Sequence, residues 1–331
     1  MTDQLTATDD LRQTLLDPRR KILGISAILL PFDEPGGIDF EALAAHVART
    51  AAAGVVPAVN MDTGYVHLLD DATRRDVLAA ARTAVGDAPG LPFGGLVAGA
   101  CVVDEPGAGF NEAGYERQLA MIAEVAATPV IFPSFGLTGG GDAGLLEGYR
   151  RLSRHLPRFI GFELSTAFHP AGRVLSVEAY ADLLGIPECV GAKHSSLSRR
   201  LEWQRLEMRN RMRPEFHVFT GNDLAIDMVR YGSDWLLGLS TAWPEAFALR
   251  DGWWAEGDAR FDELDDALQA LGDFAFREPV PAYKHSLAQL LRLRGLIACD
   301  ATHPRSPARP QSDLPILKTL IRRIERAMQA E

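Results

Sequence analysis

Lys193 is the residue whose type and setting most directly imply chemistry. It lies in Val190-Gly191-Ala192-Lys193-His194-Ser195-Ser196, an apolar run that turns polar immediately after the lysine. Such a run reads as a buried strand ending at a polar mouth. Lysine is rarely buried without a partner, and burial disfavours its charged form, so the pKa falls. A neutral amine attacks carbonyl carbon, and imine (Schiff-base) chemistry follows. The alternative is a strand-end lysine that carries its charge out to solvent.

Two carboxylates are candidates to work beside it. Counting alternation back from the end of Phe159–Leu164 puts Gly161 and Glu163 on one face, expected to be the inner one. Glu163 is then either a proton shuttle or half of a salt bridge. As an ionised neighbour it would favour the charged lysine and oppose the effect of burial. Asp62, in Met61-Asp62-Thr63-Gly64-Tyr65, either faces a neutral, hydroxylated part of a substrate or caps its own turn. A third reading is that Asp62 points away and the Thr63 and Gly64 N–H groups bind an anion. His67, His169, His194 and His217 show no metal-ligand spacing. A metal-dependent aldolase would have to combine Asp62, His67 and Glu163. Gly139-Gly140-Gly141 either cradles a phosphate at a helix N-terminus or is a loop before Asp142 as N-cap.

The chain has 331 residues, 47% of them hydrophobic, enough for one large core with an appendage. A formal net charge of −10 argues against nucleic acid and anionic membranes as partners. No segment approaches the ~20 apolar residues of a membrane span, and Met1–Arg20 has no apolar signal core, so a cytoplasmic enzyme is expected. Cys101, Cys189 and Cys299 are too far apart to suggest a disulfide framework or a zinc site. The chemistry sketched above needs no cofactor.

Strand patterns cover Ile22–Phe32, Val55–Asn60, Gly95–Val103, Pro129–Pro133, Phe159–Leu164, Cys189–His194, Phe216–Thr220 and Trp235–Ser240. Amphipathic stretches lie between them, at Phe40–Thr50, Ala72–Val85, Tyr115–Ala126, Leu145–His155, Val177–Leu184 and Leu197–Met212. Strand then helix, repeated about eight times over roughly 230 residues, is the size of a (β/α)₈ TIM barrel. A doubly wound sheet is the alternative, but the first strand leads into Leu30-Pro31-Phe32-Asp33 and lacks a G-x-G-x-x-G turn. The expected organisation is a tail over residues 1–20, a barrel over 21–255 and a C-terminal helical segment over 256–331. Trp253-Trp254 is expected to pack between the last two or between subunits. In such a barrel, chemistry gathers at the C-terminal ends of the strands. That selects Thr63 and Gly64 after strand two, Ser134 and Phe135 after strand four, and Glu163 on strand five. It also selects Gly221, Asn222 and Asp223 after strand seven and Ser240 and Thr241 after strand eight. If Lys193 points inward, Gly191 does too, and His194 points out toward the helices.

These residues, in this order, resemble the dihydrodipicolinate synthase and N-acetylneuraminate lyase family of class I aldolases. The likeness runs over nearly the whole chain after Lys21. Ile25–Asp33 with Ile38-Asp39 resembles the family's opening strand and turn, and Asp62-Thr63-Gly64 with Leu69 matches part of its G-T-T-G-E segment. Val190–Ser196 matches its Schiff-base lysine motif, Phe219–Asp223 its strand-seven end and Pro281-Ala282-Tyr283-Lys284 its "pvK" helix start. The resemblance implies a barrel with a C-terminal helical domain, a small oxo substrate, Lys193 as nucleophile and assembly as a homo-oligomer, tetramer or dimer. It also sets Arg173 near the place of a substrate-binding arginine. Lys284, at a helix start, is expected to be structural. There are departures. Asp62 replaces a hydroxyl residue, Tyr65 a glutamate, and Ser134-Phe135 a pair of tyrosines. Phe162-Glu163-Leu164 stands where the family has a catalytic tyrosine before Asn-x-Pro. The family's proton relay is therefore missing as such. The expected function is a Schiff-base lyase or dehydratase acting on an oxo acid or sugar-acid derivative. The alternatives are a barrel that binds such a compound as a sensor, and the metal-dependent aldolase.

Overall fold

The computed structural model describes residues 13–33, 36–88 and 90–329. Eight parallel strands close into a barrel in chain order. They are β1 (Gly24–Ala27), β2 (Val56–Val59), β3 (Val97–Ala100), β4 (Thr128–Ile131), β5 (Phe159–Leu164), β6 (Cys189–Ser195), β7 (His217–Thr220) and β8 (Asp234–Leu237). β8 pairs back onto β1, with Ile25 opposite Leu236. Most strands are shorter than their apolar runs. The run from Ile22 to Phe32 stays largely buried beyond Ala27, but the ladder stops there. Apolar composition reports burial, and a strand buried on both faces carries no alternation to mark its ends.

Helices α1 (Phe40–Ala52), α2 (Asp71–Val85), α3 (Glu112–Glu124), α4 (Gly141–Ser153), α5 (Val177–Leu184) and α6 (Arg199–Met212) cover the barrel, followed by α7 (Pro244–Glu256) after β8. Side chains of Asp39, Asp70, Asn111, Ser176 and Ser198 accept first-turn N–H groups of α1, α2, α3, α5 and α6. One expectation about α4 fails. Its N-cap is Gly140, and Asp142 instead accepts from Arg173 and from the Ser176 N–H. Between β7 and β8 a 3₁₀ stretch, Ile226–Tyr231, replaces an α-helix, because the segment between Thr220 and Asp234 is too short for a full helix and two loops.

Inside the barrel pack Ile25, Ala27, Val56, Ala58, Val97, Val130, Phe132, Ile160, Phe162, Phe219 and Leu236. Each large apolar side chain here contributes about 1.5–3 kcal/mol by leaving water. The chain after Glu256 forms α8 (Arg260–Ala275), α9 (Tyr283–Leu293) and α10 (Leu314–Gln329). Trp254 packs its ring on Phe261 of α8 at 4.9 Å, joining barrel and appendage as expected. α9 lies against the Leu239–Ala242 turn that follows β8, so its N-terminus reaches the barrel mouth. Of the expected tail, residues 1–12 lie outside the described residues. The part next to the barrel is anchored: the Asp17 N–H donates to the Arg230 carbonyl at 2.9 Å and Arg20 pairs with Asp234 at 3.0 Å. Among the described residues, no helix is long and apolar enough to cross a membrane.

Candidate active site

The β5–β6 register decides which side chains share the barrel interior. Phe162 stands opposite Lys193, and Glu163 opposite His194. Paired residues on parallel strands point to the same face, so Phe162 and Lys193 go in while Glu163 and His194 go out. Gly191 faces inward with Lys193, as expected: a Cβ there would lie 2.7 Å from the inward ring of Phe219.

Lys193 lines a cavity of about 120 Å³ at the C-terminal mouth of the barrel. It is 9% exposed, and its Nζ sits 4.8 Å from the centre of the Phe162 ring. Among the described residues no carboxylate pairs with that nitrogen. Burial lowers its pKa from 10.5, against the more distant pull of Asp223 and Asp62. The stem needs Gly221 beside it. A Cβ at 221 would lie 2.6 Å from Lys193 Cε and would collide with Ser195 Oγ.

The wall opposite is polar. The Asp62 side chain is 51% exposed; its Oδ2 lies 3.0 Å from Lys284 Nζ and accepts from the Tyr283 hydroxyl at 3.0 Å. Partial desolvation at the cavity wall raises the pKa of this carboxyl, but Lys284, His67 and these hydrogen bonds outweigh it and hold the group at about 2. Thr63 Oγ1 is 3.0 Å from the same Tyr283 oxygen. Asp223 also lines the cavity, accepts from the Leu239 N–H at 2.7 Å, and is pushed up to about 6 by burial. His67 and His169 stack with ring centres 4.8 Å apart, and burial lowers both, His67 to about 4. They are therefore neutral acceptors or donors at pH 7. Phe132, Leu164, Phe168 and Phe276 complete the apolar part.

Of the expected site residues, the structure brings Lys193, Asp62, Thr63, Gly221 and Asp223 together at this cavity. It places the others elsewhere. Glu163 is behind the wall, 1% exposed, 2.7 Å from His194 Nδ1 and 2.8 Å from Arg205 on α6, and it accepts the Leu175 N–H. It is not beside Lys193. The parity error has a physical origin, since every residue of β5 is buried and nothing in the run marks its inner face. With Glu163 on the outer side, the trio Asp62, His67 and Glu163 is not assembled. Among the described residues, no group of three or more His, Cys, Asp or Glu is placed to hold a metal ion.

Arg173 turns away to Asp142 at 2.5 Å and does not line the cavity. Ser134 caps the one-turn helix Phe135–Thr138. Phe135 only borders His169, with ring centres 6.1 Å apart. Asn222 closes its own turn onto the Leu224 N–H, and Ser240 donates to Ser26 within the barrel. Gly64 is no anion donor, because its N–H is given to the Met61 carbonyl at 3.0 Å. Lys284, expected to be structural, also lines the cavity and pairs there with Asp62.

Sequence reasoning does not single out Tyr283, His169 or Phe168 as cavity residues, and reaches Asp223 only as part of the strand-seven end Gly221-Asn222-Asp223. Tyr283-Lys284, a polar pair opening an amphipathic helix, was the readable signal for the first of these.

No protein-family model and no curated protein matches the sequence. Solved structures do. Dihydrodipicolinate synthase from Thermotoga maritima aligns with a TM-score of 0.78 at 16% identity, over 92% of this chain and 99% of that one. Sialic acid aldolase from Ruminococcus gnavus aligns at 0.73 and 18%, over 94% and 99%. Dihydrodipicolinate synthase from Aquifex aeolicus aligns at 0.74 and 18%, over 92% and 98%. Likeness at this identity establishes a shared barrel fold.

Proposed function

We propose that this chain is a divergent member of the dihydrodipicolinate synthase and N-acetylneuraminate lyase family and acts as a Schiff-base lyase on a small oxo compound. One observation carries the reading: the Lys193 amine is buried in a cavity at the C-terminal end of a barrel, over an aromatic ring and, among the described residues, without an ion partner. Desolvation favours the neutral amine, which adds to the carbonyl carbon of the substrate. Loss of water leaves a protonated imine. Its positive nitrogen draws in the electron pair of a C–C or C–H bond on the adjacent carbon, which breaks to give an enamine; in the C–C case the departing carbon leaves as a carbonyl while its hydroxyl proton passes to the polar wall. Protonation of the enamine carbon and hydrolysis then release the product and restore Lys193. The polar wall of Asp62, Thr63, Asp223 and the two histidines supplies groups that hold or move protons. The apolar remainder excludes water from the imine.

A second reading is a barrel that binds without turnover, and Phe162, which has no hydroxyl to offer beside Lys193, favours it. Incubation with a panel of oxo acids and aldehydes, followed by borohydride and intact mass, separates the two. A stable adduct mapped to Lys193 and absent from Lys193→Ala is the expected result. Tight reversible binding with no adduct from any panel member would establish the sensor and refute the lyase.

A further inference from the structure

The C-terminal segment delivers a hydroxyl to the cavity. Tyr283, the first residue of α9, is buried and stacks face to face on Phe276, with ring centres 4.2 Å apart and planes at 15°. Its oxygen is 3.0 Å from Thr63 Oγ1 and 3.0 Å from Asp62 Oδ2. A phenol has one proton to give, and the carboxylate takes it, so the Thr63 hydroxyl donates to the phenol oxygen. The three groups form one line: Thr63 O–H to Tyr283 O–H to the Asp62 carboxylate. Lys284, 3.0 Å from the same carboxylate oxygen, fixes its end. Gly238 keeps the line open, since a Cβ there would lie 2.9 Å from Thr63 Oγ1 and 3.4 Å from the Tyr283 oxygen.

Two other tyrosine hydroxyls near the strands are committed to the backbone. Tyr115 donates to the Phe132 carbonyl, and Tyr149 accepts the Phe162 N–H. Among the described residues, Tyr283 is the tyrosine that lines the cavity holding Lys193.

We infer that Tyr283 is the hydroxyl through which protons leave and return to a substrate joined to Lys193, with Asp62 as the group that accepts the displaced proton. The inference rests on the Schiff-base reading above. When the carbonyl of a probe has become a protonated imine, with its oxygen lost as water, a C–H bond on the adjacent carbon breaks. That bond's electron pair becomes a C=C bond, and the C=N pair moves to nitrogen, giving the enamine. The proton goes to the Tyr283 oxygen as the phenol's own proton passes to Asp62. The reverse transfer restores the C–H bond, so in D₂O the probe acquires deuterium. No oxidant or further reactant enters.

The test uses the full chain with pyruvate and, separately, acetone. It measures deuterium uptake at the methyl group by NMR and the borohydride-trapped Lys193 adduct by mass. Tyr283→Phe keeps the stacked ring and removes only the hydroxyl. Exchange per trapped adduct is expected to fall by about 100-fold or more, the scale of a positioned acid–base group. Asp62→Asn, at a half-exposed side chain, is expected to show the same loss and decides the matter if Tyr283→Phe does not fold. Wild-type exchange per adduct in both variants, or adduct without exchange in the wild type, overturns the inference while the Schiff-base reading stands. No wild-type adduct with either probe removes that reading, and the inference with it.

Discussion

Replacing Glu163 by Gln separates chemistry from architecture at the position where sequence reasoning placed a proton shuttle. The substitution keeps the shape and removes the charge. Burial opposes ionisation of this carboxyl, yet His194 and Arg205 outweigh it and bring its pKa from 4.5 to about 2. A difference of that size is worth about 3 kcal/mol of folding free energy at neutral pH. It matches the ~3–5 kcal/mol typical of breaking a buried ion pair. Because the folded pKa is the lower one, this stability is present above pH 4.5 and lost as pH falls through about 2. Urea unfolding of wild type and Glu163→Gln should therefore differ by about 3 kcal/mol at pH 7, narrowing to roughly half that at pH 3. The borohydride-trapped adduct at Lys193 should persist in the variant, measured below its unfolding midpoint. Unchanged stability with a lost adduct would refute the argument and return Glu163 to the cavity.

Two further outcomes follow from the lysine's surroundings. Gly221→Ala would put a methyl group 2.6 Å from Lys193 Cε, so the stem must swing away, and the trapped adduct should drop by more than about tenfold with the barrel still folded by circular dichroism. The charge on Asp223 raises the Lys193 pKa, so Asp223→Asn should move the rise of adduct formation with pH to lower pH; a profile that stays in place would show that this charge does not reach the amine. The sign follows from the amine, which reacts only when neutral.

Much of the barrel is readable before any coordinates. Phe159–Leu164 and Val177–Leu184 fall on the residues where patterning puts them, and the other elements differ by a few positions at their ends. Lys193 is readable for the same reason, as one charged residue closing an apolar run. What the sequence hides is parity and reach. Parity fails at Glu163, where both neighbours of the carboxylate are buried and the inner face has no polar counterpart. Reach fails at Tyr283, which is 220 residues from Thr63 and meets it only because α9 docks against the turn after β8. Arg173 fails for a third reason. A loop cation goes to the nearest carboxylate the fold presents, and that is Asp142.

The disposition of charge around β6 explains how one strand supports two opposite environments. Lys193 and His194 are adjacent, and strand alternation sends them to opposite sides of the wall. On the outer side Glu163 is matched by both His194 and Arg205, so the carboxylate is neutralised where it stands. On the inner side the carboxylates that raise the Lys193 pKa are Asp223 and Asp62, and each is held by something else. Asp62 is paired with Lys284, and Asp223 is fixed by the Leu239 N–H while burial weakens its acidity. An unmatched carboxylate beside the amine would hold it as ammonium, by several kcal/mol at low effective dielectric. With each acid committed elsewhere, desolvation decides, and the lysine is left the more readily neutral and nucleophilic.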